Sequence, residues 1–257
     1  MGERSGRTET QSNAASRLNR GRRRALLAIS VLVLSGLAAC SVPGTAPRLT
    51  STPRFSPQQW LKTDSDHFVE VSQRRIFISL RSLAEKLYRR NPRQWRKTDA
   101  GSVEEAVSRI FDVEHGWRFE GLGWRRGIDA LHVAFDPSFT GDRVQAFIVG
   151  LASMVQTAFG DKVGFYMLND LDAQHFYNAA RNVEIAAWKL ATARHQDGRL
   201  LLLSNEMGTI NNLSFEREFG RVIGILEVLT EVIEHKTERT VVRVVQNMAT
   251  AVFLPLP

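Results

Sequence analysis

Apolar residues recur along most of this chain at the three- and four-residue spacing of helices. A first helix can begin at Ser56 or Pro57, because proline is tolerated in a first turn. Asn91-Pro92 ends it, because the residue before a proline avoids helical backbone angles. Ser102, with Glu105 three residues later, predicts a capping box at the start of a second helix.

Three longer helices are predicted in the second half of the chain. The first carries Val144, Phe147, Ile148, Leu151 and Val155 and stops at Gly160. The next is capped by Asp170 or Asp172 and ends near Asp197-Gly198. The last is capped by Ser214, and its apolar pattern continues or restarts over 241–253. Gly220 and Gly224 are four residues apart on it, which favours close packing against another helix of the domain.

These segments together predict a mainly α fold, a compact helical domain of five or six helices. The short apolar runs 163–168 and 200–203 are compatible with one small β element or with buried connections, and their periodicity leaves both open. Residues 112–141 are aromatic and glycine-rich without a clear period. A domain of this size buries about 70% of its unfolded surface, so it needs no metal or disulfide for stability.

The N-terminus has the composition of an export signal. Residues 1–39 hold seven arginines and two acids, a net charge of +5, and residues 25–39 carry no charge. A basic segment, an apolar segment of this length and small residues at its end are typical of a secretory signal peptide. A membrane-spanning anchor is the alternative, but such a helix needs about 20 apolar residues.

The end of the apolar segment, Leu37-Ala38-Ala39-Cys40, resembles the lipobox of bacterial lipoproteins. The resemblance implies that the Cys40 thiol receives a diacylglycerol, that the chain is cut before Cys40, and that the new amine is acylated, for example with palmitate. Two or three chains give a stable membrane anchor, since each buried CH₂ contributes about 0.8 kcal/mol. In that family Ser41, rather than aspartate, favours the outer membrane, periplasmic side, over the inner membrane. The pair Arg23-Arg24 leaves general secretion and twin-arginine export both open.

The predicted organisation is therefore a signal peptide (1–39), a lipidated cysteine with a flexible tether (40–57) and an α-helical periplasmic domain (58–257). Residues 41–57 contain four prolines, one glycine and many serines and threonines, which is the composition of a linker. Without residues 1–39 the net charge falls from +7 to +2. The pI near 10.1 therefore reflects export, and we expect no nucleic-acid partner.

Segments 135–190 and 214–254 also resemble a group of uncharacterised proteobacterial lipoproteins, a likeness that implies no activity. The matching pieces are Ala134-Phe-Asp-Pro137, Gly141-Asp-Arg-Val144, Tyr177-Asn-Ala-Ala-Arg-Asn182 and Asn212-Leu-Ser-Phe215.

A basic stretch follows the tether. Residues 74–97 hold nine cations and one acid, a net +8, so the rest of the mature chain is −6. Such a stretch can contact anionic head groups, at about 1 kcal/mol per basic residue, or an acidic envelope protein or peptidoglycan. The alternative is a solvated helix end with local ion pairs. The predicted contact residues are Arg74, Arg75, Arg89, Arg90, Arg93, Trp95, Arg96 and Lys97.

The aperiodic region 112–141 is the candidate pocket, because long irregular connections often carry function. The alternative is an aromatic plug over the core. The candidate pocket residues are Trp117, Trp124, Arg125, Arg126, Asp129 and His132, with Phe119. A cell-wall or lipid-directed hydrolase would need two facing carboxylates here. The available carboxylates are Asp112, Glu114, Glu120, Asp129 and Asp136.

The sequence favours a non-enzymatic scaffold or partner-binding lipoprotein without a cofactor, because no motif for hydrolytic or nucleotide chemistry is present. The hydrolase is the first alternative. A helical-bundle metal protein is the second, since Asp172 with His175 and Glu231 with His235 have helical pair spacing. The Glu-x-x-His repeat of di-iron bundles is absent.

Overall fold

The structure is a computed structural model, and it describes residues 64–161, 171–206 and 212–256. This part of the chain contains seven α-helices and confirms the mainly α fold. They are α1 (Asp64–Arg90), α2 (Pro92–Trp95), α3 (Val103–Phe111), α4 (Gly127–Phe135), α5 (Arg143–Ala158), α6 (Ala173–Thr192) and α7 (Ser214–Thr237). The signal peptide, Cys40, the tether, the predicted helix start at Ser56 or Pro57, Asp170 and the run 163–168 lie outside the described residues.

The helix count exceeds the prediction because α2 is a single turn and α4 lies in the aperiodic region 112–141. A 3₁₀ turn, Glu120–Leu122, precedes α4. In the described ranges, β structure is limited to two isolated antiparallel bridges, Arg194 with Leu200 and Glu206 with Asn212.

Helix α5 is the centre of the core and is buried on nearly all sides. Helix α4 packs along it, and α1 and α6 pack on other faces. Gly150 sets the crossing with α4. A Cβ on Gly150 would lie 2.7 Å from Leu131 Cγ and 2.9 Å from the Leu131 backbone nitrogen. The two backbones can approach this closely only because Gly150 has no side chain.

Two buried charged residues fix the start of α5. The Asp142 carboxylate accepts hydrogen bonds from the backbone N–H groups of Val144 (2.9 Å) and Gln145 (3.0 Å) and from the Tyr88 hydroxyl (2.8 Å). Burial raises the pKa of Asp142, and burial next to Asp142 raises that of Tyr88. Arg143 donates to carbonyl oxygens at the end of α4 and in the following turn, those of Ala134, Asp136, Pro137 and Phe139.

Helices α6 and α7 pack side by side, and α7 also packs on α1. Gly220 and Gly224 do not make the predicted close contact. A Cβ on either glycine would meet no atom within 4 Å, because this stripe of α7 faces open space. The apolar side chains Phe219, Val222 and Leu226 make the packing instead.

Residues 241–253 do not continue the helix as predicted. Helix α7 ends at Thr237, and Glu238 has left-handed backbone angles (φ 55°). The following chain is rich in β-branched residues, which favour extended backbone. It runs along α6, where the side-chain amide of Gln174 pairs with both backbone groups of Val242 and that of Asn182 pairs with both of Leu254.

Most predicted helix ends are confirmed, but α6 ends at Thr192, five residues before the predicted end at Asp197-Gly198. Ser102 accepts from the Glu105 N–H, and the Glu105 carboxylate accepts from the Gly101 N–H, which completes the capping box. Asp172 caps α6 through the Gln174 N–H. Gly160 has a positive φ just after α5.

The predicted cap at Ser214 is wrong. Ser214 is the first residue of α7, and its backbone N–H donates to the side chain of Asn212.

The α4–α5 crossing can be tested with a matched pair of glycine substitutions. Gly150→Ala should destabilise residues 55–257 by about 1–3 kcal/mol, because the new methyl group meets the Leu131 backbone. Gly224→Ala should stabilise the same chain by about 0.5–1 kcal/mol, because its Cβ enters open space and alanine favours the helix. Urea unfolding followed by circular dichroism measures both. Equal effects of the two substitutions would contradict the crossing.

Candidate binding groove on helix α1

An apolar groove of about 370 Å³ lies between α1 and the loop after α3. Phe77 and Ile78 of α1, Phe111 at the end of α3 and Trp117 of the loop form its apolar wall. The Trp117 ring stacks on Phe77 with 5.8 Å between ring centroids and meets Phe111 edge-on at 5.9 Å. Ile78 remains 55% exposed, so the groove presents a large aliphatic side chain to solvent.

Cationic side chains line the rim of this groove. Arg81 holds Asp112 with two hydrogen bonds of 2.6 and 2.8 Å. The hydrogen bond from Arg81 lowers the pKa of Asp112. Arg74 is exposed, and no carboxylate pairs with it within the described ranges. The rim therefore carries an excess of positive charge next to apolar side chains.

His115 positions Trp117. The backbone N–H of Trp117 donates to His115 Nδ1 (2.9 Å), and Nε2 of the same imidazole ring donates to the Ile110 carbonyl (2.9 Å). These two hydrogen bonds fix the tautomer of His115. Gly116 and Trp117 both have left-handed backbone angles, φ 56° and 62°. Tryptophan rarely adopts this conformation, so the tight turn held by His115 is what directs the indole ring toward α1. Sequence reasoning missed His115, and the adjacent Gly116 was its only local signal.

The predicted basic contact surface is partly neutralised by ion pairs. Within it, Arg89 pairs with Glu85 (2.7 Å) and Glu104 (3.0 Å), and Arg90 pairs with Glu206 (2.8 Å). Lys86, in the same stretch, pairs with Glu218 (2.9 Å).

The other predicted contact residues remain without a carboxylate partner among the residues that the structure describes. Lys97 donates to the Gly141 carbonyl, and the Arg96 guanidinium lies over the Trp95 ring at 5.1 Å. Arg75 and Arg93 are exposed, as is Arg74. The free cations therefore occupy the start of the basic stretch, beside the groove, and its end, around α2.

The predicted pocket residues do not converge on one pocket. Trp117 lies in the α1 groove, whereas Arg126 and Asp129 line a separate depression of about 340 Å³. Trp124 is 57% exposed. His132 packs edge-on against Phe253. Arg125 is also exposed, and Phe119 packs against the core.

The carboxylates of 112–141 are equally dispersed. Asp112 lies in the α1 groove, Asp129 in the depression with Arg126, and Asp136 in a third, polar depression of about 650 Å³ with His195 and Asp197. Glu114 and Glu120 are exposed. A glycosidase requires two carboxylates that face one substrate, and no two of these five predicted carboxylates lie in the same one of the three depressions.

The metal candidates have separate structural surroundings. Asp172 caps α6, His175 lies in the first turn of that helix, and Glu231 and His235 are exposed near the end of α7. The described ranges contain no group of three His, Cys, Asp or Glu side chains that could hold a metal ion.

The groove therefore unites Arg74 of the predicted contact set with Trp117 of the predicted pocket set, and it contains none of the metal candidates. No known family model, curated protein or solved structure matches this chain. Among the described residues, no helix has both the length and the apolar character needed to cross a membrane.

The ion pair between Lys86 and Glu218 predicts a pH-dependent stability. Burial raises the pKa of Glu218, but the hydrogen bond and charge of Lys86, with the charge of Arg221, outweigh it and keep the pKa below its usual value. Because the pKa is lower in the folded state, this stabilisation is present at neutral pH and is lost as the pH falls below about 4.

Glu218→Gln should therefore lower the free energy of unfolding at neutral pH by about 2 kcal/mol. In this variant the free energy of unfolding should also decrease less as the pH is lowered. Urea midpoints over a pH series measure this. Glu231→Gln, on an exposed site of the same helix, is the control and should change neither quantity. A Glu218→Gln variant whose urea midpoint depends on pH as that of the unsubstituted chain does would contradict the role of the ion pair.

Proposed function

We propose that this chain is a lipid-anchored, non-enzymatic binding protein of the bacterial envelope. In this proposal Cys40 carries the lipid, 41–57 is the tether, and the helical domain lies on the periplasmic side of the outer membrane. The position of Leu37-Ala38-Ala39-Cys40 directly after a charge-free segment supports the anchor. Cys40 is also the only cysteine in the chain.

The α1 groove is the observation that carries the binding function. It combines exposed Ile78 and Arg74 of α1 with the Trp117 ring of the loop after α3, and within the described ranges no carboxylate forms an ion pair with Arg74. Tryptophan and arginine supply much of the binding energy in protein interfaces. The ligand that fits is an apolar side chain flanked by a carboxylate, as an acidic segment of an envelope protein presents. The anionic groups of peptidoglycan would engage the arginines alone.

The dispersed carboxylates favour binding over hydrolysis. Asp112 is held by Arg81, and Asp136 accepts from the N–H and hydroxyl of Ser138. The hydrogen bonds from Ser138 lower the pKa of Asp136. A general acid at neutral pH needs a raised pKa, which neither carboxylate has.

The anchor is tested by Cys40→Ala. The substitution should abolish incorporation of labelled palmitate and move the protein from the membrane to the soluble fraction, because no thiol remains to accept a diacylglycerol. Ser41→Ala, next to it, is the control and should keep the label. Continued labelling of the Cys40→Ala chain would contradict the proposal.

The groove is tested by photo-crosslinking in cells. A photoreactive amino acid at position 78 should give a discrete adduct, which Arg74→Glu should reduce several-fold because it reverses the charge at the rim. The same group at Val228 of α7 is the matched control, since Ile78 and Val228 are 55% and 47% exposed. Identical adducts from both positions, or an adduct at 78 that is insensitive to Arg74→Glu, would contradict the groove as a binding site.

A further inference from the structure

The segment that follows α7 is held at Val241 by Glu234 of α7, whose carboxylate accepts from the Val241 N–H (2.9 Å), and at the next two even-numbered residues by side chains of α6. The Val242 N–H donates to Gln174 Oε1 (2.8 Å), and the Gln174 amide donates to the Val242 carbonyl (3.1 Å). Two residues later, the Val244 N–H donates to the Tyr177 hydroxyl (2.9 Å), which donates to the Val244 carbonyl (3.1 Å). The N–H and C=O groups of both even-numbered residues therefore face α6.

In extended backbone, the hydrogen-bonding groups of alternate residues point to opposite sides. The groups of Arg243 and Val245 therefore point away from α6. Neither residue's backbone has a hydrogen-bond partner within the described ranges. Val245 is 99% exposed and Val242 70% exposed. The edge of this segment that faces away from α6 is therefore open at Arg243 and Val245, whereas at Val241 it is bound by Glu234.

We propose that this open edge pairs with the same edge of a second copy of the chain, antiparallel about a two-fold axis at Val244. In this register Arg243 lies opposite Val245 of the second copy, and Val245 opposite its Arg243, as two hydrogen-bonded pairs. Val244 faces its own counterpart as a non-hydrogen-bonded pair. Each copy uses two N–H and two C=O groups, so the edge is self-complementary.

Three features favour a second copy of the chain as the partner of this open edge. An open strand edge is a template for another strand. An antiparallel arrangement of identical edges closes on itself as a two-fold dimer and leaves no edge open for further addition. The register also keeps the two Arg243 side chains from facing each other, and each of them is already paired with Glu234 of its own chain (2.9 Å). The pairing therefore satisfies polar groups without bringing like charges together.

The register is tested by a cysteine at Val244 in the full-length chain with Cys40→Ala, so that one thiol remains. A non-hydrogen-bonded antiparallel pair brings the two Cα atoms to about 4.5 Å, within the span of a disulfide. Mild oxidation of the purified protein in detergent should therefore give a disulfide-linked dimer of Val244→Cys on a non-reducing gel.

Val242→Cys is the matched control, since Val242 is on the same face and more exposed than Val244, at 70% against 41%. Its counterpart would lie about 13 Å away along the strand, so it should crosslink several-fold less. Adding Val245→Pro to Val244→Cys removes an outward N–H and should reduce the dimer by a similar factor. Circular dichroism melting identifies any variant that fails to fold.

Sedimentation velocity of the Cys40→Ala chain, without further substitution, provides a second measurement and should show a concentration-dependent dimer. Crosslinking of Val242→Cys at or above the level of Val244→Cys, or a monomer at all concentrations, would overturn the proposal.

Discussion

The burial of Asp142 and Arg143 at the start of α5 is the constraint on which most of the fold depends. Asp142 connects α5 to α1 through the Tyr88 hydroxyl, and the backbone N–H of Arg143 donates to the Gln94 side chain of α2. The Arg143 guanidinium meanwhile closes the end of α4. Two adjacent charges are expensive to bury without partners, and here the partners come from three other helices. These contacts therefore constrain how α1, α2 and α4 are placed around α5.

A second recurring interaction explains how a helical protein keeps its long irregular segments in place. A side-chain amide pairs with both backbone groups of one residue, as a neighbouring strand would. This occurs four times in the described ranges, at Asn91 with Leu203, Gln174 with Val242, Asn182 with Leu254, and Gln246 with Val252. These amides provide backbone hydrogen-bond partners where no helix or sheet does, and at Leu254 the paired backbone groups are buried and need them.

The features that could be predicted from the sequence are those with local causes. The capping box at Ser102, the cap at Asp172 and the stop at Gly160 depend on neighbouring residues, so they are visible in the sequence. Helix α4 has no side-chain cap, and Asp129 and His132 are its only exposed polar residues, so it lacks an end signal and its polar face is narrow. The extended segment after α7 contains valines whose spacing also fits a helix, and its partners on α6 are more than 60 residues away.

The candidate site also contains both residues that can be predicted locally and contacts that depend on distant parts of the chain. Arg74 and Trp117 were each predicted, but in different sets, because only the packing of the loop against α1 brings them together. His115 was missed because its role is to hold a backbone turn. The ion pairs of Arg89 and Arg90 with acids from distant segments could not be located from a charge count, although the mature chain's −6 outside the stretch showed that enough acids exist.

The Arg143 contacts have a consequence for how this sequence can change. All four hydrogen-bond acceptors of the guanidinium are backbone carbonyls, and among the side chains of 134–139 the Phe139 ring lies 5.8 Å from its central carbon. A lysine has a single nitrogen at its tip and cannot span four carbonyls as the planar fork of arginine does. Tolerance to substitution is therefore asymmetric: the arginine is fixed, while positions of the turn other than Asp136 and Phe139 can vary as long as its length and backbone path persist.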